Sequence, residues 1–86
     1  MKLRWERGEG GDLVAFDGTT VVVRSTVPAA PGTPLRGVLE SGEVLELKVR
    51  GSKRDGDVFV IEGRPQNLRR ELREALVAWS RAASGD

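Results

Sequence analysis

From Val44 to Gly51 apolar and polar residues alternate: Leu45, Leu47 and Val49 share one face and Glu46, Lys48 and Arg50 the other. That period of two marks an antiparallel strand with one side on a core and one in water. Around it stand further strand signals at 3–5, 13–16, 19–25, 35–40 and 57–63. Thr19-Thr20-Val21-Val22-Val23-Arg24 is rich in β-branched residues, whose stiff side chains suit a pleated sheet. Val58-Phe59-Val60-Ile61-Glu62 is nearly continuous in apolar character and predicts the most buried strand. The period then changes. Leu68, Leu72, Ala75, Leu76, Trp79 and Ala83 recur at helical spacing, which predicts an amphipathic helix over 67–82 with that stripe on the sheet.

Turn chemistry joins these segments. Gly8-Glu9-Gly10-Gly11 reads as a loose stretch. Asp17-Gly18 predicts a two-residue type I′ hairpin, which needs positive φ at both residues. Pro28, Pro31 and Pro34 make the segment between them a crossing rather than a strand. Ser41-Gly42-Glu43 and Asp55-Gly56 give two further hairpin turns. Pro65 ends the extended region, Asn67 is a candidate N-cap, and Gly85 is a candidate helix stop. The expected fold class is mainly β: a small antiparallel barrel of five to six strands with one C-terminal amphipathic α-helix, in one domain spanning 1–86. Burial of Leu72, Leu76 and Trp79 would make the helix part of the core, at about 1.5–3 kcal/mol per large apolar side chain.

Composition removes whole classes of chemistry. With neither Cys nor His, the chain has no disulfide, thiolate zinc site, thiol nucleophile or imidazole base. Asp55 and Asp57 flank a turn, and Glu40, Glu43 and Glu46 line a hairpin, without an accompanying nucleophile. The glycine cluster lacks the Lys and helix of a phosphate loop. Hence no catalytic residue, metal or cofactor is expected. The N-terminus is charged and no apolar run approaches spanning length, so a cytoplasmic protein without membrane attachment is expected. Net charge is only +1, a small field for holding nucleic acid. It is unevenly spread, however. Residues 1–47 hold five basic and seven acidic side chains, whereas 48–86 hold nine and six, so an anion-binding face belongs to the second half.

Gly18, the β-rich Thr19–Ser25, the Pro31-Gly32-Thr33-Pro34-Leu35 turn, the alternating Val44–Arg50 and the closing helix with Leu72 and Leu76 together resemble the PilZ domain. That resemblance implies a six-stranded barrel with a C-terminal helix, a fold many bacteria use to read cyclic di-GMP. The family grips this ligand with an R-x-x-x-R motif and a D/N-x-S-x-x-G motif, and the chain departs from both. With Gly18 as the final glycine, Leu13 stands in place of Asp or Asn and Ala15 in place of Ser. Arg4 and Arg7 echo the arginine motif at a spacing of three. Sites built on polar contacts lose heavily when a partner group disappears. The resemblance therefore implies a degenerate PilZ-like module that acts through protein contacts in motility or surface behaviour. Arg4, Arg7 and Gly18 remain as vestiges of the ligand site, without tight cyclic di-GMP binding.

Two basic groups are the candidate contact surfaces. Arg64, Arg69 and Arg70 surround the start of the helix, where the dipole disfavours cations and an acidic partner or phosphate would relieve them. Arg70, Arg73, Val77 and Arg81 share the helix face opposite the core, where they would suit an acidic protein or a second copy of the chain. Trp5 is expected to plug the barrel, with an exposed interface anchor as the other possibility. The alternative function is a small-barrel module for nucleotide or nucleic acid, using Lys48, Arg50, Lys53 and Arg54 as a basic strand and loop. Its weakness is a shortage of aromatics for base stacking.

Overall fold

The alternating strand pairs on both sides, and following its partners round closes the sheet. In the computed structural model, which describes residues 1–83 except Arg7, Glu9 and the Ala83 side chain, the elements are β1 (Lys2–Trp5), β2 (Gly10–Phe16), β3 (Val21–Ser25), β4 (Pro34–Leu39), β5 (Val44–Asp55), β6 (Val58–Gln66) and α1 (Arg70–Ala83). The strands form a closed antiparallel barrel in the order β1-β2-β3-β6-β5-β4, with β4 returning to β1. The expected barrel and helix are thus both present.

Inward positions fill the interior. Leu3, Trp5, Leu13, Phe16, Val21, Val23, Leu35, Leu39, Leu45, Leu47, Val49 and Ile61 are buried, and Leu72 and Leu76 of α1 join the same cluster. Small residues make room for large ones, as the taper of a narrow barrel requires. Gly37 lies directly across from Trp5, and a Cβ there would stand 2.9 Å from the indole. At Gly63 a Cβ would collide with Leu47 and approach the Lys48 carbonyl to 2.9 Å. Trp5 does plug the barrel. Its Nε1–H donates to Ser25 Oγ at 2.8 Å, and the Val27 amide donates to the same oxygen at 3.0 Å, so the buried hydroxyl is well partnered. The proline-rich crossing from β3 to β4 lays Ala29 and Val27 against this core.

The helix docks by two kinds of contact. Leu72 and Leu76 are buried while Leu68 and Trp79 are half-buried, and the Ser80 hydroxyl donates to the Phe16 carbonyl at 2.8 Å, tying α1 to the end of β2. Ala75, expected in the stripe, is exposed at its edge, and the Ala83 side chain and Gly85 lie outside the described residues.

Several boundaries differ from expectation. The helix begins at Arg70, not 67, because Asn67 adopts φ 51° and makes the turn out of β6 instead of capping the helix. Pro65 does not end β6 but sits within it, opposite Leu47. Gly10 and Gly11 open β2 rather than lying in a loop; at Gly11 a Cβ would come within 2.5 Å of the Arg24 carbonyl. The Asp17-Gly18 turn is not type I′, since only Gly18 has positive φ, at 100°. Asp17 instead accepts bonds at Oδ1 from the amides of Thr19 and Thr20, and β3 starts at Val21. Finally, β5 runs on to Asp55 and its final turns form an arm with β6. Val58, Phe59 and Val60 are therefore half-buried, and Ile61 alone of that apolar run is sealed in the core.

Candidate functional site

With its interior filled, the barrel offers its outer wall. A depression of about 930 Å³ crosses β1 and β2, where Gly8, Gly10 and Gly11 present no side chains. Three of its charged residues face opposite charges, and Arg4 faces only Gly10 and Val38. Lys2 faces Asp12, Asp12 faces Arg24 on the next strand, and Arg24 bonds Asp55 at 3.3 Å. Opposite charges directly across strands stabilise a sheet, so size alone does not make this face a site.

Two of the candidate ligand residues, Arg4 and Gly18, stand apart along β2. Arg4 points outward beside Val38 and Gly10, at the start of β2, whereas Gly18 lies in the turn beyond its far end. Arg7 lies outside the described residues. Leu13 turns into the core, 2% exposed, and Ala15 faces out across a register irregularity that falls between them. No hydrogen-bonding side chain stands at either position.

Of the expected cluster, Arg64 lies on β6, Arg69 just before α1 and Arg70 at its first position. Arg70 donates to Glu74 at 3.2 Å, one turn along, and Arg69 contributes its carbonyl to the Arg73 amide. Arg64 belongs to β6, where its register partner is Lys48. The second group does assemble: Arg70, Arg73, Val77 and Arg81 line a groove of about 410 Å³ along α1 with Glu74. Val77, however, is half-buried and packs against the core, so this face flanks the barrel contact and does not oppose it.

The basic strand and loop is likewise rearranged. Lys53 and Arg54 are consecutive on the β5 arm and so point to opposite faces; Arg54 Nε is spent on the Gly56 carbonyl at 3.2 Å. Lys48 and Arg50 instead join Arg64 around a depression of about 390 Å³ whose other walls are Pro31, Gly32 and Val49. A β-bulge builds it. Register passes from Val49–Gly63 to Gly51–Glu62, leaving Arg50 as the extra residue. The crossing loop clamps this point: the Gly32 amide donates to the Val49 carbonyl at 2.7 Å, and the Val49 amide donates to the Thr33 carbonyl at 2.9 Å.

All three cations are exposed, and none makes an ion pair among the described residues. Glu46 and Glu62 lie two residues along on the same faces without closing to a salt bridge. Along the sequence these three cations fall in two separate groups, Lys48 and Arg50 in the alternating strand and Arg64 ahead of the helix. Counting outward from the Gly56-Asp57 turn sets Arg64 opposite Val49; the bulge moves it one residue, onto Lys48.

Only Asp17 has a clearly displaced pKa among the described residues: the Thr19 amide, then the Thr20 amide and the Thr19 hydroxyl, hold its carboxyl below the usual value of 3.8. These partners make it a turn brace. No cluster of three or more acidic side chains able to hold a metal occurs among the described residues, and no described helix is long and apolar enough to cross a membrane.

No family model, curated protein or solved structure matches the chain.

Proposed function

We propose that this chain is a non-catalytic PilZ-like adaptor of the bacterial cytoplasm, working through protein contacts in signalling that governs motility or surface behaviour. Support comes from the closed six-stranded barrel with its C-terminal helix, which is the architecture the resemblance implies. One observation carries the loss of the messenger: Leu13 is part of the core, so the position that should offer a polar side chain to cyclic di-GMP offers none. That Arg4 and Gly18 lie beside opposite ends of β2 also supports this reading. The filled interior leaves outer-wall contacts as the means of action.

Calorimetric titration with cyclic di-GMP tests this function. No saturable heat is expected up to a ligand concentration of about 100 μM, which bounds the binding free energy at roughly −5.5 kcal/mol. Saturation at low micromolar concentration would overturn it. The nucleic-acid alternative draws on the unpaired cations at Lys48, Arg50 and Arg64 and is tested with a short single-stranded oligonucleotide. Aromatic platforms are what it lacks, because Trp5 and Phe16 are sealed in the core and Phe59 and Trp79 pack against it.

A further inference from the structure

We infer that Lys48, Arg50 and Arg64, at the bulge between β5 and β6, form a docking site for an acidic segment of a partner protein, its Asp or Glu carboxylates seated against the Pro31–Thr33 loop. This rests on the protein-contact function proposed above and names the surface and chemistry that would carry it. Lys48 and Arg64 are directly opposite in the ladder, an arrangement that destabilises an antiparallel pair. Elsewhere in the ladder each outward charge faces an opposite charge or a neutral residue: Lys2 faces Asp12, Asp12 faces Arg24, Arg24 bonds Asp55, and Arg36 faces Glu46 and lies 3.8 Å from Glu6, while Arg4 faces Gly10 and Val38 and Lys53 faces Val60. The bulge turns what would be a plain strand surface into a recess, adding Arg50 as a third cation. Both backbone groups of Val49 are bound by the crossing loop, so the recess has a fixed wall. Anions entering it would relieve repulsion already present.

Carboxylates fit better than a nucleic acid. None of the lining residues is aromatic, so bases would find no stacking surface. The cations also form one compact group with Lys53 and Arg54 lying elsewhere, not a track along a phosphate chain. Two arginines beside a lysine suit planar carboxylates, which arginine binds through paired N–H groups.

The test uses the full chain, isotope-labelled for NMR, with a peptide of alternating Glu and Ser as one probe and a single-stranded oligonucleotide as the other, at about 20 and 150 mM salt. Peptide-induced shifts are expected at residues 31–33, 48–50 and 63–65, with affinity falling at the higher salt. Lys48→Glu should weaken the peptide by about tenfold or more. It should also raise the melting temperature, by placing opposite charges across the ladder, so loss of fold cannot explain loss of binding. Shifts confined to the Arg70–Arg81 groove would overturn this site while leaving the protein-contact function standing. Tighter binding of the oligonucleotide at the same cations would overturn both, and absence of binding by either probe, or a peptide indifferent to Lys48→Glu, would overturn the site.

Discussion

On its inner face β5 carries Leu45, Leu47 and Val49, each 2% exposed or less; on its outer face stand Glu46, Lys48 and Arg50. The same few residues of backbone thus serve two surfaces governed by different physics. Inside, buried polar side chains are bonded: Ser25 Oγ takes two N–H donors, and no buried side-chain polar atom among the described residues lacks a partner. Outside, two cations, Lys48 and Arg64, stand opposite one another in the ladder. Water tolerates on the outer wall what a core would not, which is why interior rules fix the fold while exterior exceptions point to binding.

If the inner face includes the helix stripe, truncation there should have the largest effect. Leu76 is fully sealed, and Leu76→Ala should lose about 2–5 kcal/mol in denaturant unfolding. A loss below about 1 kcal/mol would mean that α1 is an appendage and that the inner face ends with the strands.

Two glycines compare the faces more directly. At Gly63 a Cβ collides with Leu47, so Gly63→Ala should lose about 1–3 kcal/mol by overpacking. Gly51, beyond the bulge and paired with outward Glu62, has nothing within 4 Å of such a Cβ, and Gly51→Ala should stay within about 0.5 kcal/mol of the parent. Equal losses at the two positions would contradict the assignment of faces. Ser25→Ala comes next. It leaves the Trp5 Nε1–H buried without its acceptor and should lose about 1–3 kcal/mol, with a change in Trp5 fluorescence that Trp79→Phe would isolate.

The inner face was legible from the chain, and the outer one only in part. Alternation at Leu45, Leu47 and Val49 and the helical spacing of Leu72 and Leu76 report burial directly, because hydrophobic pattern is written by what a side chain faces. The barrel followed from the run of five to six strand signals ending in one amphipathic helix, and from the resemblance those elements carry. What escaped were the features set by local backbone choices. Asn67 could equally cap a helix or adopt positive φ, since its short amide satisfies either turn. Gly10 and Gly11 read as loop because glycine has low strand propensity, yet they pair in β2, where a close approach at Gly11 admits nothing larger. The Lys48–Arg64 pairing was hidden by the bulge: a single extra residue at Arg50 changes every register partner below it, and Arg50 itself carries no turn signal.

The smallest effect is expected at Asp17, an outer-face residue that, unlike Lys48 and Arg64, has its charge satisfied. Its Oδ1 accepts from the Thr20 amide at 2.7 Å, the Thr19 amide at 2.9 Å and the Thr19 hydroxyl at 3.1 Å, and these bonds hold its folded pKa below 3.8. A group whose pKa is depressed by folding binds fewer protons in the native state. Its contribution is therefore fully present above its unfolded value and fades as pH falls through the folded one. Asp17→Asn keeps the shape of the turn but removes the ionised acceptor. It should be less stable than the parent at neutral pH, and the gap should close on acidification below the ordinary carboxylate range. Thermal melts of the two proteins across that range provide the check. A gap that stays constant at every pH would mean that the brace acts through shape alone, and that charge satisfaction on the outer wall matters less than the contrast with Lys48 and Arg64 requires.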